Sequence, residues 1–184
     1  MQQPKQLLDW QGQALVRVVA GCALQAGLSP VVVVTGAAHE AVENVIADLP
    51  LQLVHNPEYS NGQSSSLRAG VAALPDEAAA VLVLLGDQPF VSAAIMRQLV
   101  QCWQSTHAPI IAPIYAGQRG NPVLFDRTLF PELLSIRGDQ GARQLLSMQP
   151  ERVRYVYFDD KRPLMDIDTP EDYGQALAIM KDDD

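Results

Sequence analysis

The chain has 184 residues and a mass of 20.0 kDa; apolar residues make up 48% and charged residues 18%, a balance that fits one globular domain with its own core and excludes a disordered chain. A net charge of −8 argues against a nucleic-acid binder, which needs a basic surface to neutralise phosphates, and leaves room for a small anionic substrate served by a local cation or a metal ion. Two cysteines, Cys22 and Cys102, are too few for a disulfide framework, no apolar run approaches a membrane span and no basic-then-apolar leader opens the chain, so the reading is a cytoplasmic protein with reduced, buried thiols.

Met1 to Leu8 reads as a loop with no strand before it. Residues 14–26 follow a helical pattern, with Gly27 as the cap beyond its end. The β-branched run 31–35 predicts a strand buried on both faces, and helix 39–47 leads to a second strand at 51–55. Helix 65–74, strand 80–85 and helix 92–103 come next, with Ser92 as N-cap. Strands at 109–115 and 153–158 enclose a helix at 141–148, and a last helix opens at Thr169-Pro170, Thr169 capping and Pro170 in the first turn. Strand–helix alternation of this kind predicts one α/β domain on a doubly wound, mostly parallel sheet, whose ligand lies beyond the carboxyl ends of the strands. His39, His55 and His107 are scattered without zinc-ligand spacing, and Asp182 to Asp184 read as a solvated tail.

Several segments carry candidate chemistry. Gly86-Asp87-Gln88-Pro89 directly follows the strand at 80–85, so Asp87 either holds a divalent cation in the ligand crevice or caps the next helix. In Asp166-Ile167-Asp168 the two carboxylates share one face of an extended backbone, and Asp168 is equally placed to cap the helix after it. Convergence of Asp87 and Asp168 would make a two-carboxylate metal site. The small-residue stretch from Asn56 to Gly70 leads into a helix N-terminus, suited to polar ligand edges or anions and equally to ordinary capping; Arg68 meets a phosphate or faces solvent. Lys5 alone looks like a surface lysine. Residues 117–123 read as a turn before a strand, and residues 138–143 as a turn with Asp139 near a helix start.

Taken together and in order, Pro4-Lys5-Gln6-Leu7-Leu8, Asn56-Pro57 with residues 62–70, Gly86-Asp87-Gln88-Pro89, residues 120–125, residues 138–143 and residues 166–172 resemble the MobA-like nucleotidyltransferase family over nearly the whole chain. The nearest branch is that of the molybdenum cofactor cytidylyltransferases. The resemblance implies a Rossmann-like, nucleotide-diphospho-sugar transferase-like fold and transfer of CMP from CTP to the molybdenum-pterin cofactor with release of pyrophosphate. It assigns Lys5 to the triphosphate, Asp87 and Asp168 to Mg²⁺, and Gly62, Gln63, Ser65 and Ser66 to base and ribose. Arg119, Gly120, Asn121 and Pro122, with Asp139 and Arg143, fall to the cofactor side. No protein nucleophile is required, so catalysis would rest on positioning and electrostatics. Another base or acceptor, and a non-catalytic carrier that hands the cofactor to a molybdoenzyme, are the competing readings; a molybdenum hydroxylase or its maturation chaperone is the implied partner.

The family pattern opens with an internal strand and a Leu-Ala-Ala-Gly-x-Ser-x-Arg-Met loop, and Met1 stands where that loop's methionine would. The expectation is a sequence begun at an internal methionine and a sheet without its first strand. Two neighbouring strands would keep unpaired main-chain groups, at about 1–3 kcal/mol for each buried one.

Overall fold

A computed structural model of the chain describes residues 4–138 and 142–181; Asp139 and the acidic tail lie outside the described residues. After a 3₁₀ turn at Lys5–Leu7, a small hairpin joins β1 (Asp9–Trp10) to β2 (Gln13–Ala14) through Gln11 and Gly12, both at positive φ. Helix α1 (Leu15–Gln25) buries Leu15, Val16, Val19, Ala20 and Ala23, one stripe at helical spacing. It ends as expected, with Gly27 at φ +81° donating to the Leu24 carbonyl at 3.0 Å.

Strand β3 (Val32–Thr35), helix α2 (His39–Ile46) and strand β4 (Gln52–His55) form a right-sized crossover unit, β3 and β4 pairing in parallel. Helix α3 (Gln63–Ala72) leads to β5 (Ala80–Val83) and then α4 (Ala93–Thr106), whose first turn is capped by Ser92 Oγ accepting from the Ile95 N–H. The second sheet runs through β6 (Ile110–Tyr115), β7 (Gln118–Arg119) and β8 (Val123–Asp126), and after α5 (Phe130–Ser135) and α6 (Arg143–Met148) it gains β9 (Val153–Phe158). Helix α7 (Pro170–Lys181) closes the described chain.

The fold is a Rossmann-like α/β sheet flanked by helices, as predicted. Strands β3 with β4 and β6 with β9 pair in parallel, while β8 runs antiparallel between β5 and β6 and β7 folds back antiparallel on β6. Strand β6 carries the centre of the core: Ile110, Ile111, Ala112 and Tyr115 are at most 1% exposed. Phe125, Leu129 and Leu133, all fully buried, pack against its neighbours.

The sheet is interrupted between β3 and β5. Among the described residues β3 pairs with β4 alone and β5 with β8 alone, the gap the resemblance implied. The consequence shows in the burial of β3. Val32, Val33 and Val34 are only half-buried, where the apolar run predicted a strand covered on both faces. Cys22 and Cys102 are free and partly buried. No helix among the described residues is long and apolar enough to cross a membrane.

Candidate active site

Lys5, Asp87 and Asp168 come together from three distant parts of the chain. The 3₁₀ turn that presents Lys5 is closed by Leu7 N–H donating to Pro4 and Leu8 N–H donating to Lys5, with Leu8 buried beneath it. Asp87 lies just past β5. Its carbonyl accepts from the Ile167 N–H at 3.1 Å, and Ile167 is fully buried, so the extended segment carrying Asp166 and Asp168 is fastened beside it. The Lys5 ammonium donates to Asp87 Oδ2 and, at 2.6 Å, to Asp168 Oδ1. Burial works against the charged lysine, but its hydrogen bonds to Asp168 and Asp87 outweigh it and hold the Lys5 pKa above its ordinary value.

The helix-capping alternatives are settled by the neighbours. Helix α4 is capped by Ser92, not by Asp87. At α7, Thr169 Oγ accepts from the Asp172 N–H while the Asp172 carboxylate accepts from the N–H groups of Asp168 and Thr169. This reciprocal cap leaves the Asp168 carboxylate to Lys5.

One oxygen of the cluster lacks any partner: Asp87 Oδ1 is buried with no hydrogen bond among the described residues. A buried carboxylate oxygen left alone is costly, and a hard divalent cation is the natural complement to it. The donor set fits such an ion in a limited way. No group of three or more His, Cys, Asp or Glu side chains able to hold a metal is present among the described residues. An ion here would take one or two carboxylates and draw its remaining oxygens from water or substrate phosphates, the pattern typical of Mg²⁺. Asp166 stands behind the pair, accepting from Gln88 Nε2 at 2.6 Å. Burial pushes its carboxyl pKa up against the Gln88 hydrogen bond, and the charges of Asp87 and Asp168 push the same way.

The loop before α3 is braced from within. Asn56, 4% exposed, donates from Nδ2 to Ser65 Oγ at 2.8 Å and Ser66 Oγ at 3.0 Å, and its Oδ1 accepts from the Glu58 N–H. Ser65 Oγ lies 2.9 Å from both the Glu58 and Gly62 carbonyl oxygens. The Ser65 hydroxyl is therefore occupied in shaping the loop. Gly62 at φ +89° turns the chain into α3, a backbone geometry that L side chains rarely adopt. Arg68 takes neither of its sequence-level options: it donates to the Ile136 carbonyl at 2.7 Å and sits 3.7 Å from Glu58.

Part of the remaining predicted set lines a common cavity of about 1100 Å³, while Gly62, Ser65 and Pro122 lie outside its lining. Gln63 and Ser66 border it, as do Arg119, Gly120, Asn121 and Arg143. Lys5, Asp87 and Asp168 are not among its lining residues, but their chain neighbours Pro4, Gln6 and Gly86 are. The Arg119–Pro122 turn rests on Tyr115, a residue the sequence did not single out. The Tyr115 hydroxyl donates to the Asn121 carbonyl at 2.8 Å, and burial raises its pKa, with the Asp160 charge adding to the shift. A Cβ on Gly120 would lie 2.8 Å from the Tyr115 ring and 2.9 Å from Leu164. Pro122 is buried next to it. Gln88, 3% exposed and part of the Gly86–Pro89 segment, was given no role of its own by the sequence.

A Rossmann-like sheet with a lysine clasped between two carboxylates past a strand end defines a nucleotidyltransferase-type domain. Residues 1–153 match the MobA-like NTP transferase domain, and the chain belongs to that family. It is 34% identical over 184 residues to a nicotine blue oxidoreductase of Paenarthrobacter nicotinovorans, covering 95% of this chain and 88% of that one. It is 27% identical over 177 residues to the molybdenum cofactor cytidylyltransferase of Escherichia coli, covering 96% and 88%. Among solved structures, the Mycobacterium tuberculosis protein Rv0371c in complex with manganese superposes with a TM-score of 0.82 at 29% identity, covering 95% of this chain and 92% of that one.

Proposed function

We propose that this protein is a cytoplasmic molybdenum cofactor cytidylyltransferase. A terminal phosphate oxygen of the molybdenum-pterin cofactor attacks the α-phosphorus of CTP, the bond from that phosphorus to the bridging oxygen breaks, and pyrophosphate leaves. The observation that carries this reading is the Lys5 ammonium held between Asp87 and Asp168 beside the cavity rim. Likeness to the Escherichia coli enzyme supports the choice of CTP and pterin, and the manganese complex of the mycobacterial relative is consistent with a divalent ion at a site of this kind.

In this reading Lys5 orients the triphosphate and offsets charge that builds on the α-phosphate and leaving group. Asp87 and Asp168 hold Mg²⁺, which when bound neutralises charge between phosphates. Gly62, Gln63 and Ser66 face the base and ribose, with Ser65 holding their loop in shape. Arg119, Gly120, Asn121, Pro122 and Arg143, with Asp139, take the pterin side, where two guanidinium groups suit a phosphorylated acceptor. No side chain needs to act as nucleophile, so rate comes from alignment of two bound phosphates. The product would pass to a molybdenum hydroxylase or its maturation chaperone.

A carrier that binds pterin without turnover is the second reading. Pyrophosphate release from CTP, dependent on both Mg²⁺ and molybdenum-pterin, separates the two. Release with CTP supports the transferase. Release with GTP alone changes the base. Pterin binding without release from either nucleotide transfers the assignment to the carrier.

A further inference from the structure

We propose that Gln88 is a positioning residue for the cation site: its buried amide, acting through Asp166, fixes the angle at which Asp168 faces Asp87. The proposal rests on the reading of Asp87 and Asp168 as the carboxylates that hold a divalent ion. Those carboxylates stand on separate segments of the chain. Lys5 bridges the carboxylates themselves. The Ile167 N–H donates to the Asp87 carbonyl at 3.1 Å, and Gln88 Nε2 donates to Asp166 Oδ1 at 2.6 Å. In the reading above Lys5 also serves the triphosphate, so its bridge is shared with substrate. The other two links need no ligand and form a short ladder, Asp87 to Ile167 and Gln88 to Asp166.

Each rung does a different job. Ile167 is fully buried in a cluster with Leu8 and Trp10, against which Phe90 and Met165 pack, and this seats both segments on the base that carries the Lys5 turn. One main-chain bond fixes where a segment lies but leaves it free to twist about that point. Asp168 lies one residue beyond the seat with its side chain 62% exposed, so packing does little to aim it. The Asp172 carboxylate holds the Asp168 N–H from the α7 side at 3.2 Å, and the Gln88–Asp166 bond holds the segment from the other. Asp166 and Asp168 share a face of the extended chain, so a twist that releases one turns the other.

Gln88 suits this task by burial and by charge. The Val91 N–H donates to its carbonyl at 3.3 Å, and Pro89 and Val91 are buried beside it. Reversing the amide would set Oε1 against the Asp166 carboxylate, two acceptors face to face, so Asp166 dictates its orientation. Oε1 is then left buried without a hydrogen-bond partner among the described residues, a cost that an apolar residue of the same size would avoid. A lysine or arginine at this position would also hold Asp166, but it would compete with a cation for Asp87 and Asp168. The amide donates without adding charge and leaves the negative potential of the site intact.

The test is Mn²⁺ binding to the full 184-residue protein, read by electron paramagnetic resonance, with circular dichroism for the fold. Gln88→Met keeps volume and charge and removes the donor. The double variant Gln88→Glu with Asp166→Asn reverses the bond, an amide at position 166 donating to a carboxylate at position 88, at unchanged net charge. The expected result is Mn²⁺ affinity about tenfold weaker in Gln88→Met, the size usual for a group that orients a metal ligand, and recovery of most of that loss in the double variant. A residue that only supported the fold would lower Tm and leave the affinity of the folded protein where it was. Parent affinity in folded Gln88→Met would overturn the proposal, as would a folded double variant that binds no tighter than Gln88→Met. Where Gln88→Met does not fold, the double variant decides alone: affinity near the parent's supports the proposal, and affinity about tenfold weaker overturns it. Mn²⁺ lost in Asp87→Asn but kept in Gln88→Met removes Gln88 and leaves the cation site standing. No Mn²⁺ on the parent removes the site, and the proposal with it.

Discussion

Gly120→Ala is the sharpest single perturbation of the acceptor-side turn. The added methyl would sit 2.8 Å from Tyr115 Cδ2, 2.9 Å from Tyr115 Cε2 and 2.9 Å from Leu164 Cδ2, well inside ordinary van der Waals contact. The tyrosine ring has little freedom to yield. It is fully buried, stacked on Phe158 at 5.3 Å, and tethered through its hydroxyl to the Asn121 carbonyl. Overpacking of this kind costs about 1–3 kcal/mol, and in a chain of this size each kcal/mol lowers Tm by about 2–4 °C. Urea unfolding followed by circular dichroism reads the loss directly. The control is Gly174→Ala at an exposed position of helix α7, where an added Cβ meets nothing within 4 Å. Helix propensity predicts a gain of about 0.5–1 kcal/mol there. The Gly120 variant should also raise the KM for pterin more than it lowers kcat, because the turn moves while the Lys5 cluster stays. A Gly120→Ala protein with the parent's Tm would refute the claim that close packing on Tyr115 shapes this turn.

Two further outcomes follow from the geometry. Ser65→Ala removes the hydroxyl shared by Asn56, Glu58 and Gly62 inside a buried loop, at a cost of about 1–3 kcal/mol; denaturant midpoints measure it, and an unchanged midpoint would return Ser65 to the ligand. The Arg17 guanidinium, 2.7 Å from Asp48 through its second nitrogen, holds the exposed Asp48 carboxyl down to about 2. A lowered folded-state pKa stabilises above the ordinary carboxylate value and loses that contribution as pH falls. The difference in stability between the parent and Asp48→Asn should therefore shrink between about pH 4 and pH 2. A difference that stays constant across that window would contradict the assignment.

Local pattern made most of the fold legible. Strand β9 falls where its β-branched and aromatic run predicted, and Ser92, Thr169 and Gly27 perform the capping their positions suggested. The direction of β8 was not legible, because antiparallel entry between β5 and β6 depends on partners far along the chain. Helix α3 begins at Gln63, two residues before the expected start, and that shift turns Ser64 and Ser65 inward while Gln63 stays exposed. Lys5 looked like a surface lysine because its partners lie 82 and 163 residues away; only the resemblance pointed to it. Tyr115 carried no motif at all. Its role arises from a glycine that leaves room for its ring and a carbonyl that meets its hydroxyl, and both are tertiary.

The central claim is that Asp87 and Asp168, kept close by Lys5, form a divalent-cation and triphosphate site. Its most direct test is Mn²⁺ titration followed by electron paramagnetic resonance, with and without CTP, on the parent protein and on Asp87→Asn. The account predicts Mn²⁺ binding to the parent that tightens with CTP, and a loss of at least tenfold in the Asn variant while its circular dichroism spectrum stays that of the parent. Mn²⁺ and CTP bound by folded Asp87→Asn as tightly as by the parent would contradict it.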